Sequence, residues 1–291
     1  MSEIKNKILS AIFQKTRIRV GIFLVGIIIF LGLLAPFLAP YPPLEMAGES
    51  LKPPSWSHPF GTDDVGHDLF SQFLYGARIS ALVGVSVGLS GAVLALLIGG
   101  LAGYAGRWIE QVIMRAVDVF LSLPRFPILI IFTAFLGTGL SKIILFLALF
   151  SWPVGSRLIR SMVISLKNAP LIESERLFGA RGHYIFFRHI FPDLVPLVVA
   201  IFVLDACYAV LAEAGLSFLG LGDPSLVSWG NILHYAFVYP GIFLGTSWLW
   251  WILPPGLGIA LFIMGLMLIS TELEEKYQPK IKKESELIAG F

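Results

Sequence analysis

The chain has 291 residues, 56% hydrophobic and 14% charged, with a formal net charge of +2 and a mean hydropathy of +0.82. That balance excludes a soluble globular domain and marks an integral membrane protein. The single cysteine, Cys207, excludes an intrachain disulfide and a thiolate metal cluster.

Apolar runs of about 20 residues, rising about 1.5 Å per residue, suffice to cross about 30 Å of hydrocarbon. Six such runs predict an all-α membrane protein. The first helix covers 20–39 and stops at PYPP, where proline supplies no amide donor; its run is longer than a signal-peptide core and lacks a small-residue cleavage site. A second runs from 79 to about 102. The third, roughly 111–136, holds Arg115, Asp118, Pro124 and Arg125. The fourth, fifth and sixth lie near 143–164, 194–216 and 250–269.

Lysine and arginine near span ends resist translocation. With the N-terminus inside, sixteen cations fall on the cytoplasmic side, and the outer side holds only Lys52, Arg78 and Lys142. Both termini are therefore expected in the cytoplasm. The expected order is a cytoplasmic segment 1–19, the first helix 20–39, an external loop 40–78, a five-helix core 79–270 and a cytoplasmic tail 271–291. Within that core, a cytoplasmic loop at about 165–193 interrupts the apolar pattern.

That loop contains ESERLFGARGHYIFFRHIFPDL from Glu173. Asn168 suits an N-cap and Pro170 a first helical turn, so a short helix is expected over about 169–178, ended by Gly179. Leu171, Ile172, Phe178, Ile185, Phe186 and Ile190 form the apolar side of a helix-turn-helix that Pro192 closes. An apolar patch facing the cytosol wants a partner.

Glu173, Ser174, Glu175, Arg176, Leu177, Phe178, Gly179 and Ala180, followed by Ile190, Phe191 and Pro192, resemble the EAA loop of prokaryotic ABC-importer permeases. The departure is at Ser174 and Glu175, where that family usually has two alanines. HPFGTDDVGHDLFSQFLYGARIS from His58 and LAEAGLSFLGLGDPSLVSWGNIL from Leu211 resemble segments of the dipeptide, oligopeptide and nickel permease subfamily, in its second permease subunit. His67 and Gln72 stand where that subfamily commonly has arginine.

The resemblance implies a multi-pass subunit of the prokaryotic cytoplasmic membrane that forms half of a translocation pathway. It implies as partners a second homologous permease, two cytosolic ABC ATPases and an external solute-binding protein, with di- or oligopeptides as first substrate and oligosaccharides or nickel complexes as alternatives. The coupling residues it implies are Glu173, Arg176, Leu177, Phe178, Gly179, Ala180, Ile190 and Pro192. No G-x-x-x-x-G-K-[ST] occurs, so ATP hydrolysis is expected in partners and the chain is not read as an enzyme. No cofactor, metal or nucleic acid is called for. The rival classes are a secondary transporter, for which no inverted repeat is visible, and a non-transporting assembly subunit.

Charge inside a span is costly and faces a bundle interior or a watery path. Asp118, Arg125, Asp205 and Glu213 are therefore the pathway or gate candidates. Asp118 and Arg125, seven residues apart, are expected on one helix face, as an ion pair or in the pathway. His58, His67, Asp63, Asp64 and Asp68 read as turn and cap chemistry in preference to a metal site.

Overall fold

The computed structural model describes residues 16–275. The outermost cations behind the orientation argument, Lys5, Lys7, Lys15 and those from Lys276 onward, lie outside the described residues, as does most of the expected tail. Every regular element among the described residues is helical. In chain order these are α1 (Thr16–Leu33), α2 (Ala35–Leu38), α3 (Leu69–Ala105), α4 (Arg107–Ser122), α5 (Arg125–Leu136) and α6 (Leu140–Lys167). Then come α7 (Pro170–Leu177), α8 (Gly182–Ile185), a π-helical turn (Phe186–Ile190), α9 (Phe191–Phe218), α10 (Trp229–Val238), α11 (Ser247–Trp251) and α12 (Leu253–Glu275).

Five helices are long and apolar enough to cross a membrane, and the bent pair α4–α5 makes a sixth crossing if it counts as one span. The first helix, expected over 20–39, instead runs Thr16–Leu33 and breaks at Leu34 before the short α2; the later spans are longer than their apolar runs. The second begins at Leu69, ten residues before the expected 79, because the Asp68 carboxylate accepts from the Ser71 amide at 2.8 Å and caps the helix there. Arg78 thus lies within α3, and the loop expected over 40–78 ends at Asp68.

The third span departs most from expectation. A straight helix over 111–136 is replaced by two helices bent by 75°. Leu123 is extended (φ −83°, ψ 130°) because the proline that follows it disfavours the helical region. Asp118 and Arg125 consequently do not share a helix face.

Helix α3 is the centre of the bundle, packed against α6 and α9. Small residues permit the close approach. A side chain at Gly99 would meet the Ser156 carbonyl at 2.4 Å, and one at Gly88 the Phe202 carbonyl at 2.6 Å. Helix α1 lies against α12, with Gly21 beside Gly265 and Ile269. The start of α1 and the end of α12 therefore sit at the same end of the bundle, and Gly32, beside Arg78, sits toward the other.

Candidate functional site

The connection between α6 and α9 carries most of the expected site. Its first helix, α7, is capped by Ala169 in extended geometry and not by Asn168, which instead ends α6. The cause is Pro170, which forces the residue before it out of the helical region. Gly179 stops α7 as expected. Its φ is +84°, its amide donates to the Arg176 carbonyl at 3.0 Å, and the Ala180 amide donates to the Glu175 carbonyl at 3.0 Å. This pair of bonds is a Schellman closure, which needs a left-handed residue at that position.

The expected second short helix is not separate. Helix α8 continues through the π-helical turn into α9, one unbroken path from Gly182 to Phe218. Pro192 therefore does not close a helix. It sits inside that continuous helix just after the π-helical turn, where the Phe191 amide reaches the Phe186 carbonyl across the wide turn.

The site residues fall into two groups by burial. Leu177 and Phe178 are 84% and 90% exposed, with Glu173, Arg176, Gly179 and Pro192 also exposed. Ile190, in contrast, is fully buried with Ile172, Ile185 and Leu194 against Ala92, Ala95, Ile159 and Val163, and Ala180 packs at the edge of that cluster. Glu173 lies in the first turn of α7 and Arg176 in its last, each on the side that the helix dipole favours. The two departures from small residues are accommodated locally. The Ser174 hydroxyl donates to the Leu171 carbonyl at 2.8 Å, and Glu175 Oε1 lies 3.6 Å from His189 Nε2 across the turn.

A polar frame surrounds this connection. Arg160 Nε donates to Glu110 Oε1 at 2.7 Å, and Arg157 Nη2 donates to Asp118 at 2.5 Å. Both pairs tie α4 to α6. Lys167 Nζ donates to the Tyr104 carbonyl at 2.6 Å, and the Tyr104 hydroxyl donates to the Gly182 carbonyl at 2.9 Å. Sequence reasoning gave Tyr104 no role, since nothing in a glycine-rich span end predicts a partner 78 positions away.

The ionisable residues of the spans have different surroundings, and Arg125 lies near enough to Asp205 to act on it electrostatically. Asp118 is about half exposed in its pair with Arg157. Arg125 stands over the Tyr208 ring, 5.8 Å from its centroid. Asp205 Oδ2 is buried without a hydrogen-bond partner among the described residues, seated where a Gly91 side chain would be 2.3 Å away and beside Ser151. Asp205 thus fills the junction of α3, α6 and α9. Glu213 is 2% exposed and accepts from the Ser217 hydroxyl at 2.7 Å.

At the opposite end, Asp63 accepts from the amides of Val65, Gly66 and His67, and its other oxygen lies 2.7 Å from His67 Nδ1 and 3.5 Å from Gln72 Nε2. Asp68, besides capping α3, lies 2.9 Å from His58 Nδ1. These carboxylates do turn and cap work, each with its own histidine. Among the described residues no three His, Cys, Asp or Glu side chains are placed to hold a metal ion.

Comparison with known proteins adds four relationships. The family model described as "Binding-protein-dependent transport system inner membrane component" matches residues 95–283. The chain is 36% identical over 264 residues to a protein of Brucella suis biovar 1 provisionally named a peptide permease, covering 89% of this chain and 86% of that one. It is 31% identical over 266 residues to the dipeptide transport system permease protein of Bacillus subtilis, covering 90% and 82%. It is also 33% identical over 265 residues to the protein of the same name in Alkalihalophilus pseudofirmus, covering 90% and 86%.

Proposed function

Because the chain belongs to the family of binding-protein-dependent transport system inner membrane components, we propose that it is the half-pathway of an ABC importer for di- or oligopeptides, driven through the α6–α9 connection. Family membership makes it a multi-pass inner-membrane permease subunit and sets aside a secondary transporter. The peptide substrate is supported by the names of its relatives, in preference to oligosaccharides or nickel complexes. Both termini and the α6–α9 connection lie in the cytoplasm. Two observations support this orientation: the cations crowd to one side, and α1 begins at the end of the bundle where α12 finishes.

One observation carries the coupling role. Helix α7 is held by its buried face and a Schellman closure, yet leaves Leu177 and Phe178 standing almost wholly in solvent. An exposed apolar pair on a rigid mount is the form of an interface anchor. In this reading Leu177 and Phe178 enter a groove of a cytosolic ATPase, Glu173 and Arg176 make polar contacts at its rim, and Gly179 with Ala180 closes the helix that presents them. Ile190 holds the mount from beneath, and Pro192 leads the chain back into the membrane. Energy arrives as rigid-body motion of the ATPase, so the chain switches and does not catalyse. A second permease completes the pathway and an external solute-binding protein delivers the peptide. Asp118 joins the polar frame. Arg125, Asp205 and Glu213 are the charges that would feel the pathway change state.

The test is copurification of the ATPases with the permease pair. Phe178→Ala should release them from an otherwise folded membrane complex; undiminished recovery with the Leu177→Ala, Phe178→Ala double variant would remove the docking assignment.

A further inference from the structure

The connection that moves with the ATPase is covalently joined to the fourth and fifth spans but not to the second, α3, the helix at the centre of the bundle. Motion reaches α3 from this connection only through non-covalent contacts. At its end those contacts converge on one residue. The Tyr104 hydroxyl donates to the Gly182 carbonyl at 2.9 Å, and its ring meets Phe186 edge to face at 5.7 Å between centroids. Lys167, the last residue of α6, donates to the Tyr104 carbonyl at 2.6 Å and lies 5.3 Å from the centre of its ring. Tyr104 thus touches the last residue of the fourth span and both the first residue and the π-helical turn of the helix that becomes the fifth.

The joint is built to fit. A side chain at Gly182 would stand 2.7 Å from the Tyr104 hydroxyl oxygen, so only glycine leaves that oxygen its seat. Phe186 comes within ordinary contact of Gly100, one turn earlier on α3, where a β-carbon would be 3.8 Å from the ring. The π-helical turn starts at Phe186, so the widened backbone begins where the helix leans on α3. Such turns occur often at functional positions.

We propose that Tyr104 is a positioning residue that locks α3 to the coupling connection, so that the second, fourth and fifth spans move as one body when the ATPase moves. The inference rests on the docking reading above. It adds a step inside the permease, and that step fails or stands by a different measurement.

The experiment uses the full complex in nanodiscs, with spin labels at Ala105→Cys and Arg181→Cys, two exposed positions flanking the joint; Cys207 is buried. The distance between labels is measured without nucleotide and with ATP and vanadate. With Tyr104 present the mean separation should stay within about 2 Å between the two states, well short of the one-turn ratchet of about 5.4 Å by which one element slips past another. Tyr104→Phe keeps the ring and removes only the hydroxyl, and Gly182→Ala displaces that hydroxyl. Both should give a separation that changes with nucleotide by more than about 2 Å, with the ATPases still copurifying. A nucleotide-dependent change with Tyr104 and Gly182 intact overturns the proposal, as does a separation that stays fixed in both variants. Failure of the docking reading shows separately, as ATPases that stay bound when Leu177 and Phe178 are both removed.

Discussion

The indole of Trp229 lies directly against the backbone of Gly76: a β-carbon on Gly76 would be 2.5 Å from Trp229 Cδ1 and 3.1 Å from the Trp229 amide nitrogen. The ring is fully buried, stacks on Phe73 and donates through Nε1 to the Phe73 carbonyl at 3.0 Å. One residue thereby fastens α10 to the start of α3, ahead of the point where the apolar run begins. Gly76→Ala should cost about 1–3 kcal/mol by overpacking and Trp229→Ala about 3–5 kcal/mol by cavity formation. Thermal unfolding in detergent, followed by size-exclusion, reads both. A Gly76→Ala protein that melts with the parent would show that α10 yields easily and that the contact fixes nothing.

The residues of the α6–α9 connection should divide by burial and not by their place in the motif. Phe178→Ala removes a ring that is 90% exposed, so stability stays within about 0.5 kcal/mol. ATPase affinity should fall by about 2 kcal/mol or more, roughly thirtyfold. Ile190→Ala empties a fully buried site and should cost about 2–5 kcal/mol of stability. Melting temperature and ATPase recovery, taken together, check the split; identical profiles for the two variants would refute it.

Gly179 tests backbone geometry apart from sterics. Among the described residues nothing lies within 4 Å of where its β-carbon would be, yet its φ is +84°. Gly179→Ala therefore meets no neighbour and still pays about 1–2 kcal/mol for a left-handed alanine. Asparagine tolerates that region better, so Gly179→Asn should recover part of the lost ATPase binding. Equal losses for alanine and asparagine would point to a direct contact at this position.

Five crossings, and a sixth if the bent pair counts as one span, were legible because apolar runs of the right length are a property of composition alone. Their ends were not, because polar residues extend a helix once it is capped and packed. Leu69 to Arg78 is helical on account of Asp68 and Trp229, and neither effect shows in a hydropathy window. The break at Leu123–Pro124 and the cap at Ala169 follow from one local rule, that a residue before proline avoids the helix. Apolar averaging concealed the first, and a good capping residue one position too early concealed the second. The α6–α9 connection was readable as a motif, but its division into exposed Phe178 and buried Ile190 depends on which face meets Ala92 and Ile159. The continuous path through Pro192 depends on a π-helical turn, which no residue pattern announces.

Asp118 tests the assignment of span charges. Its carboxylate and the Arg157 guanidinium are each about half exposed, so solvent screens the pair and its net value is about 0–1 kcal/mol. Asp118→Asn should leave stability and peptide uptake within about twofold of the parent. Asp205→Asn replaces a buried carboxyl group at the junction beside Gly91 and Ser151 and should alter both more strongly. Uptake in proteoliposomes ranks the two; a larger loss from Asp118→Asn would return that residue to the pathway.

Asp223 gives the loop between α9 and α10 a pH dependence. Its carboxylate accepts from the Ser225 hydroxyl at 2.6 Å and amide at 3.0 Å, and from the Leu140 amide at 3.3 Å. The Ser225 hydroxyl, chiefly, holds it below the usual aspartate range. A depressed pKa means that the charged form is favoured in the folded loop. The stabilisation is therefore complete above the ordinary value of about 3.9 and is lost as pH falls through the lower folded value. Hydrogen exchange of the 219–229 stretch, corrected for intrinsic rates, should be unchanged between pH 7 and 5 and rise below about pH 4. Asp223→Asn, with no carboxylate to protonate, should exchange faster at pH 7 and show no such step. A step near pH 6 would take the effect away from Asp223 and refute this assignment.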